Sequence, residues 1–212
     1  MATEVASSDV VDRGFEECER LADQLRDMVD VVPLLDGRER DSAAERERRL
    51  SSEHWQSVRY LLRAKHVPSA LVVHQAQIES IARSMWLTYV ASEDQIAEFT
   101  LGASLVSEFA ASTPGTIDDM LQQLAERAPK PSFSILTDSK AARWSFSRSE
   151  TYRQWRERDH LNGLVRALMF GTNALGVLSY MHAATLRKNQ KLEQQVCDAA
   201  AKHPQCVLRR HL

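Results

Sequence analysis

Residues 68–90 read PSALVVHQAQIESIARSMWLTYV, and this stretch decides the fold. It opens on a proline and then runs 22 residues without another proline or a glycine, longer than a strand uses. Pro68 suits the first turn of a helix, where its missing N–H costs no hydrogen bond. Leu71, Ile78, Ala82, Met85 and Tyr89 recur at helical spacing, and Val73, Ile81 and Leu87 widen the apolar face. The spacing therefore predicts a helix that touches neighbours on more than one side.

The rest of the chain has the same texture. Only 7 glycines and 6 prolines punctuate 212 residues, and positions 38–67, 69–101 and 132–162 hold neither. A strand-rich sandwich or barrel would need turns far more often. We expect an all-α protein, a single helical bundle of six or seven helices over residues 1–202, with 203–212 as a flexible tail. The helices over 68–90 and 164–188 should form its central pair. A first helix capped by Ser8 or Asp9 should end before Pro33, with Val11, Phe15, Leu21, Leu25, Met28 and Val31 as its apolar positions. A second should cover 41–65, its charge run Glu45-Arg46-Glu47-Arg48-Arg49 forming a solvated face. Ser92-Glu93-Asp94 signals another helix start, and a short amphipathic helix should fill 116–128. Residues 131–149 have a poor apolar pattern and read as an ordered loop with short helical turns. Helix then resumes near Ser149 and breaks at Asn162-Gly163.

Charge and cysteine usage limit the environment. Lys and Arg total 27 against 29 Asp and Glu, a formal net charge of −2, so no global basic field points to nucleic acid or an anionic membrane. The sum hides a gradient, with residues 1–120 at −10 and 121–212 at +8. Cys18, Cys197 and Cys206 are too few and too scattered for a disulfide framework or a zinc knuckle, and they read as free thiols. The first ten residues carry Glu4 and Asp9 and lack a basic or apolar run, which argues against a secretory leader. The expected location is cytoplasmic. Residues 167–186 are free of formal charge but contain Thr172, Asn173, Ser179, Tyr180, His182 and Thr185, so a buried helix is expected rather than a membrane span. Gly171 and Gly176 within it should let a neighbouring helix approach closely.

Two groups could carry chemistry. Gln75, Glu79 and Arg83 are four residues apart, so they stack on one helix face with Glu79 able to pair with Arg83. Exposed, that pair contributes roughly 0.3–0.5 kcal/mol; buried between helices, its charges need partners and could hold a ligand. The second group, Tyr152 to His160, mixes aromatic, basic and titratable side chains. It is either a solvated helix surface or an anion-binding face, with Arg156 holding a phosphate and His160 one turn away as acid or base. No cofactor is expected. Glu157-x-x-His160 has the spacing of a carboxylate-bridged di-iron site, but the second such pair is missing, so no metal is expected either. The signatures of zinc proteases, phosphate loops and serine hydrolases are also absent.

Gln75 to Leu87, with Glu79-x3-Arg83 and Trp86-Leu87, followed by His160-Leu161-Asn162-Gly163, resembles bacterial helical domains of unknown function. Some of these are similar to the HEPN superfamily of helical nucleotide-binding and RNA-cleaving proteins. The resemblance implies a bacterial binding or interaction module in stress or phage defence, able to form a homodimer and to meet RNA or another anionic ligand. Alternatively it implies a metal-independent ribonuclease using Arg153 and His160, which fit the Arg-x4-to-6-His pattern, with Glu79 and Arg83 lining the cleft. Gln154 departs from the Asn, Asp or His that usually follows the arginine.

Overall fold

The computed structural model describes residues 2–34, 37–102, 116–147 and 158–203, and the charged second helix is its surprise. Eight helices and no strand occur among the described residues: α1 (Ala2–Val29), α2 (Glu39–Arg63), α3 (Val67–Tyr89), α4 (Glu93–Gly102), α5 (Ile117–Arg127), α6 (Lys130–Ser147), α7 (Arg158–Leu186) and α8 (Gln190–Ala201). The protein is all-α, with one helix more than the upper expectation.

Local chemistry sets most of the boundaries. Pro68 lies in the first turn of α3, as its sequence requires. Ser92 accepts a hydrogen bond from the Gln95 N–H at 3.3 Å while the Gln95 side chain takes the Ser92 N–H at 2.9 Å, closing the start of α4. Thr116 and Asp119 form a reciprocal capping box on α5. Between α7 and α8 the backbone turns at Lys188, whose φ is +50°, and Asn189 caps α8 by accepting the Leu192 N–H at 3.0 Å.

Cross-helix contacts give the register. Trp55, Ser52 and Glu45 of α2 meet Asn173, Ser179 and Arg187 in turn, so α2 runs antiparallel to α7. Ser51 and Glu47 meet Gln77 and Arg83, so α2 is antiparallel to α3 as well. Cys18 faces Arg59 and Phe15 faces Arg63, the same relation again with α1. Thus α1, α3 and α7 run parallel to one another around α2, which opposes all three.

This corrects the expected central pair. Helices α3 and α7 do pack together, yet α2 touches both along its length and is the inner element. Its charge run is not a solvated face: Glu45, Glu47 and Arg48 are buried, while Arg46 and Arg49 are exposed. The run alternates between inside and outside because a helix turns 100° per residue. Four further differences concern boundaries, the first being that α1 starts at Ala2, so Ser8 and Asp9 lie within it rather than cap it. Residues 130–147 are one helix, α6, anchored through buried Ile135 and Leu136 after Pro131 in its first turn. Helix α7 passes through Asn162-Gly163 without a break, and Val31 lies beyond α1 and is 75% exposed. The expected helix around Tyr152 and the C-terminal tail beyond His203 fall outside the described residues.

The core collects Phe15, Cys18, Leu21 and Leu25 from α1, Trp55 and Val58 from α2, Ile78, Ile81 and Met85 from α3, and Leu175, Leu178 and Tyr180 from α7. Trp55 and Trp86 are its largest side chains. A Cβ on Gly176 would lie 2.3 Å from the Trp55 ring, so only glycine lets the indole seat against α7. At Gly171 a Cβ would sit at an ordinary 3.6 Å from the His74 ring, so close approach does not require glycine there. No described helix is long and apolar enough to cross a membrane.

Candidate functional site

Two polar systems run along α2, and they differ in how completely their hydrogen bonds are met. The first is enclosed. Glu45 accepts from Arg48 at 2.9 Å, from Arg49 at 2.9 Å and from Arg187, just past the end of α7, at 3.1 Å. Arg48 continues to Asp30 at 3.3 Å and to Ser52 at 3.2 Å, with its guanidinium 5.4 Å from the Tyr180 ring centre. Arg187 also donates to the carbonyls of Val32 at 2.6 Å and Ala183 at 3.0 Å. Burial raises the Glu45 pKa, but the hydrogen bonds and charges of Arg187 and Arg48 outweigh it and hold the carboxyl down at about 2. A buried ionic cluster with every member partnered fixes helix register. It leaves no group free to meet a substrate.

The second system is the seam between α2 and α3. Arg83 donates to Glu47 at 3.0 Å, and Glu47 is only 3% exposed. The Gln75 amide donates to Glu79, and Ser51 donates to the Gln77 carbonyl at 3.3 Å. The register puts His54 of α2 level with Gln75, and its pKa is lowered chiefly by burial, against the charges of Glu53 and Glu47. The row Gln75, Glu79 and Arg83 does share one face of α3, but Arg83 takes Glu47 across the seam as its ion-pair partner while Glu79 binds the Gln75 amide. Two buried atoms of the row, Gln75 Oε1 and Arg83 Nε, have no hydrogen-bond partner. Such atoms are rare in folded proteins and call for a cause.

Of the other candidate residues, only His160 falls among the described ones. Arg153 and Arg156 lie outside the described residues, and His160 lies in the first turn of α7, whose side chains there are not described. Gln77 meets Thr172 and Thr88 meets His182, so Glu79 stands near the level of Ala174 on α7. At 1.5 Å per residue, His160 is on the order of 20 Å away along the axis. The register therefore does not bring His160 to Glu79 and Arg83.

Sequence reasoning passed over Glu47 and Arg59. Glu47 sits in the charge run, and nothing in its spacing shows that it faces inward. Arg59 is one turn after Trp55, a spacing that hints at guanidinium stacking on the indole, and its guanidinium is indeed 4.8 Å from the ring centre. The buried histidines are structural: His74 lies 3.3 Å from Gln77 Oε1, and His182 is 3.1 Å from the Thr88 hydroxyl. Burial first, against a backbone hydrogen bond at Ser84, lowers the His182 pKa to about 4.

No curated protein and no solved structure matches the chain. Residues 48–209, more than three quarters of the sequence, match a family of unknown function, and the chain belongs to that family, DUF6988.

Proposed function

We propose that the protein is a binding or interaction module whose ligand is received at the α2–α3 seam by Gln75, Glu79 and Arg83. One observation supports this reading above others: Gln75 Oε1 and Arg83 Nε, two of the three buried side-chain polar atoms without a partner among the described residues, lie on the same helix face. The seam carries two carboxylates, Glu47 and Glu79, against one guanidinium, with His54 biased toward its neutral form. That balance favours a compact ligand rich in hydrogen-bond donors over a polyanion such as RNA. The HEPN-like resemblance suggests stress or phage defence as the setting for such a module. A ribonuclease built on Arg153 and His160 would have to work without Glu79 and Arg83.

Thermal unfolding of the full chain with spermidine, arginine amide and an RNA oligonucleotide tests the reading. A saturable rise in Tm with spermidine or arginine amide, lost in Glu79→Gln, is expected. A rise with RNA alone, or none with any of the three, overturns it.

A further inference from the structure

Three arginines of α2 reach across like rungs to α1 and to Asp30 just after it. Arg48 ends on Asp30, and Arg63 ends on Glu19 at 2.6 Å with its guanidinium 5.8 Å from the Phe15 ring centre. The middle rung, Arg59, is different. Its Nη1 donates to the Cys18 carbonyl at 3.0 Å, and it has no carboxylate partner among the described residues. Only 8% of the residue is exposed, and its Nε is buried with no acceptor.

A guanidinium offers two useful faces to an oxyanion, and the side-on one pairs Nε–H with Nη2–H. With Nη1 engaged, that side-on fork is what Arg59 has left. Stacking on Trp55 holds the guanidinium plane in place. The surrounding charges also suit an anion. Arg59, Arg63 and Arg26 are three cations, while Glu19 and Asp23, at 2.6 Å from Arg63 and 3.1 Å from Arg26, are two carboxylates already shared with them. A net positive charge is left over at the one rung without a counter-ion.

We propose that the α1–α2 seam holds a small oxyanion, a carboxylate or a phosphoryl group, on the Nε–Nη2 edge of Arg59. The site is separate from the Gln75–Arg83 row, which lies on the other side of α2. The Nε end of that edge is buried, so the anion enters by parting the rungs, with the half-exposed Arg63–Glu19 pair as the outermost to swing. Burial lowers the Arg59 pKa, partly offset by the nearby Cys18, Glu19 and Asp23, in keeping with an incompletely compensated charge.

Thermal unfolding of the full chain in sodium phosphate, sodium acetate and sodium chloride at matched ionic strength tests the site. We expect a saturable Tm increase in phosphate or acetate over chloride, and which of the two acts identifies the oxyanion. Arg59→Met should abolish it, and Arg59→Lys, which keeps the charge without the fork, should weaken the apparent affinity roughly tenfold. Arg83→Met should leave it intact, which separates this site from the seam on α3. The absence of any oxyanion-specific shift in the wild type overturns the proposal. So does an undiminished shift in Arg59→Lys, and that variant decides the matter if Arg59→Met does not fold.

Discussion

Glu45 illustrates how much one carboxylate can hold in a helical core. It faces two nearly unexposed guanidiniums, so removing its charge leaves Arg187 without its carboxylate and Arg48 with Asp30 alone, and Glu45→Gln should cost about 3 kcal/mol. Arg49→Gln removes a partner that is 59% exposed and should cost no more than about 1 kcal/mol, both read by urea unfolding. The same residue shapes the acid limb of stability. Because the Glu45 pKa is lowered from 4.5 to about 2, its contribution is complete above pH 4.5 and is lost as pH falls toward 2. His182 acts earlier. Its pKa is lowered from 6.5 to about 4, so unfolded chains take up a proton that the native state refuses, and stability falls between pH 6.5 and 4. Each window is worth roughly 3 kcal/mol at the stated shifts. His182→Gln should flatten the loss above pH 4.5 and leave the lower one in place; an unchanged pH profile would count against a buried neutral imidazole.

At the scale of helices, the fit of α7 to α2 depends on one missing methyl group. Gly176→Ala forces a carbon to 2.3 Å from the Trp55 ring and should destabilise by about 1–3 kcal/mol or more, whereas Gly171→Ala meets His74 at 3.6 Å and should be near neutral or mildly stabilising. A comparison of thermal midpoints for the two variants checks this. The sequence distinguished helices from strands well, since Gly and Pro scarcity and the 3.6-residue period are local properties. The stripe of α3, the Pro68 start, the cap at Ser92 and the short helix over 116–128 were all readable for that reason. The orientation of α2 was not. Beside Trp55 and Val58 it also turns Glu45, Glu47 and Arg48 inward, whose burial depends on Arg83 of α3 and on Arg187 just after α7, and no spacing within α2 reveals those partners. Helix α6 escaped notice because its apolar residues do not form a clear stripe, so packing rather than period makes it helical. The row Gln75, Glu79 and Arg83 was legible as a shared face, but its cross-helix partner Glu47 was not.

At the scale of the molecule, the family match and the physical unit have different limits. The match begins at Arg48, inside α2, and so omits α1 and the residues from Glu39 to Glu47. It includes the buried arginines Arg48 and Arg187 but excludes Glu45 and Asp30, their carboxylate partners. A fragment of residues 48–209 should therefore fail to unfold cooperatively, while the full chain does so, as followed by circular dichroism. A cooperative fragment transition at the full-chain midpoint would show that the arginine cluster is dispensable.

The reach of Glu45 to Arg187 also bears on the order in which the chain is made. These partners are 142 residues apart. A nascent chain emerges N-terminus first, so α1, α2 and α3 leave the ribosome long before the end of α7 exists. Until then the inner charges of α2 can keep their water, and the apolar faces of α1 and α3 lack the helix they close upon. Final closure of the bundle is thereby tied to the emergence of the end of α7, and until that point the nascent chain depends most on chaperones.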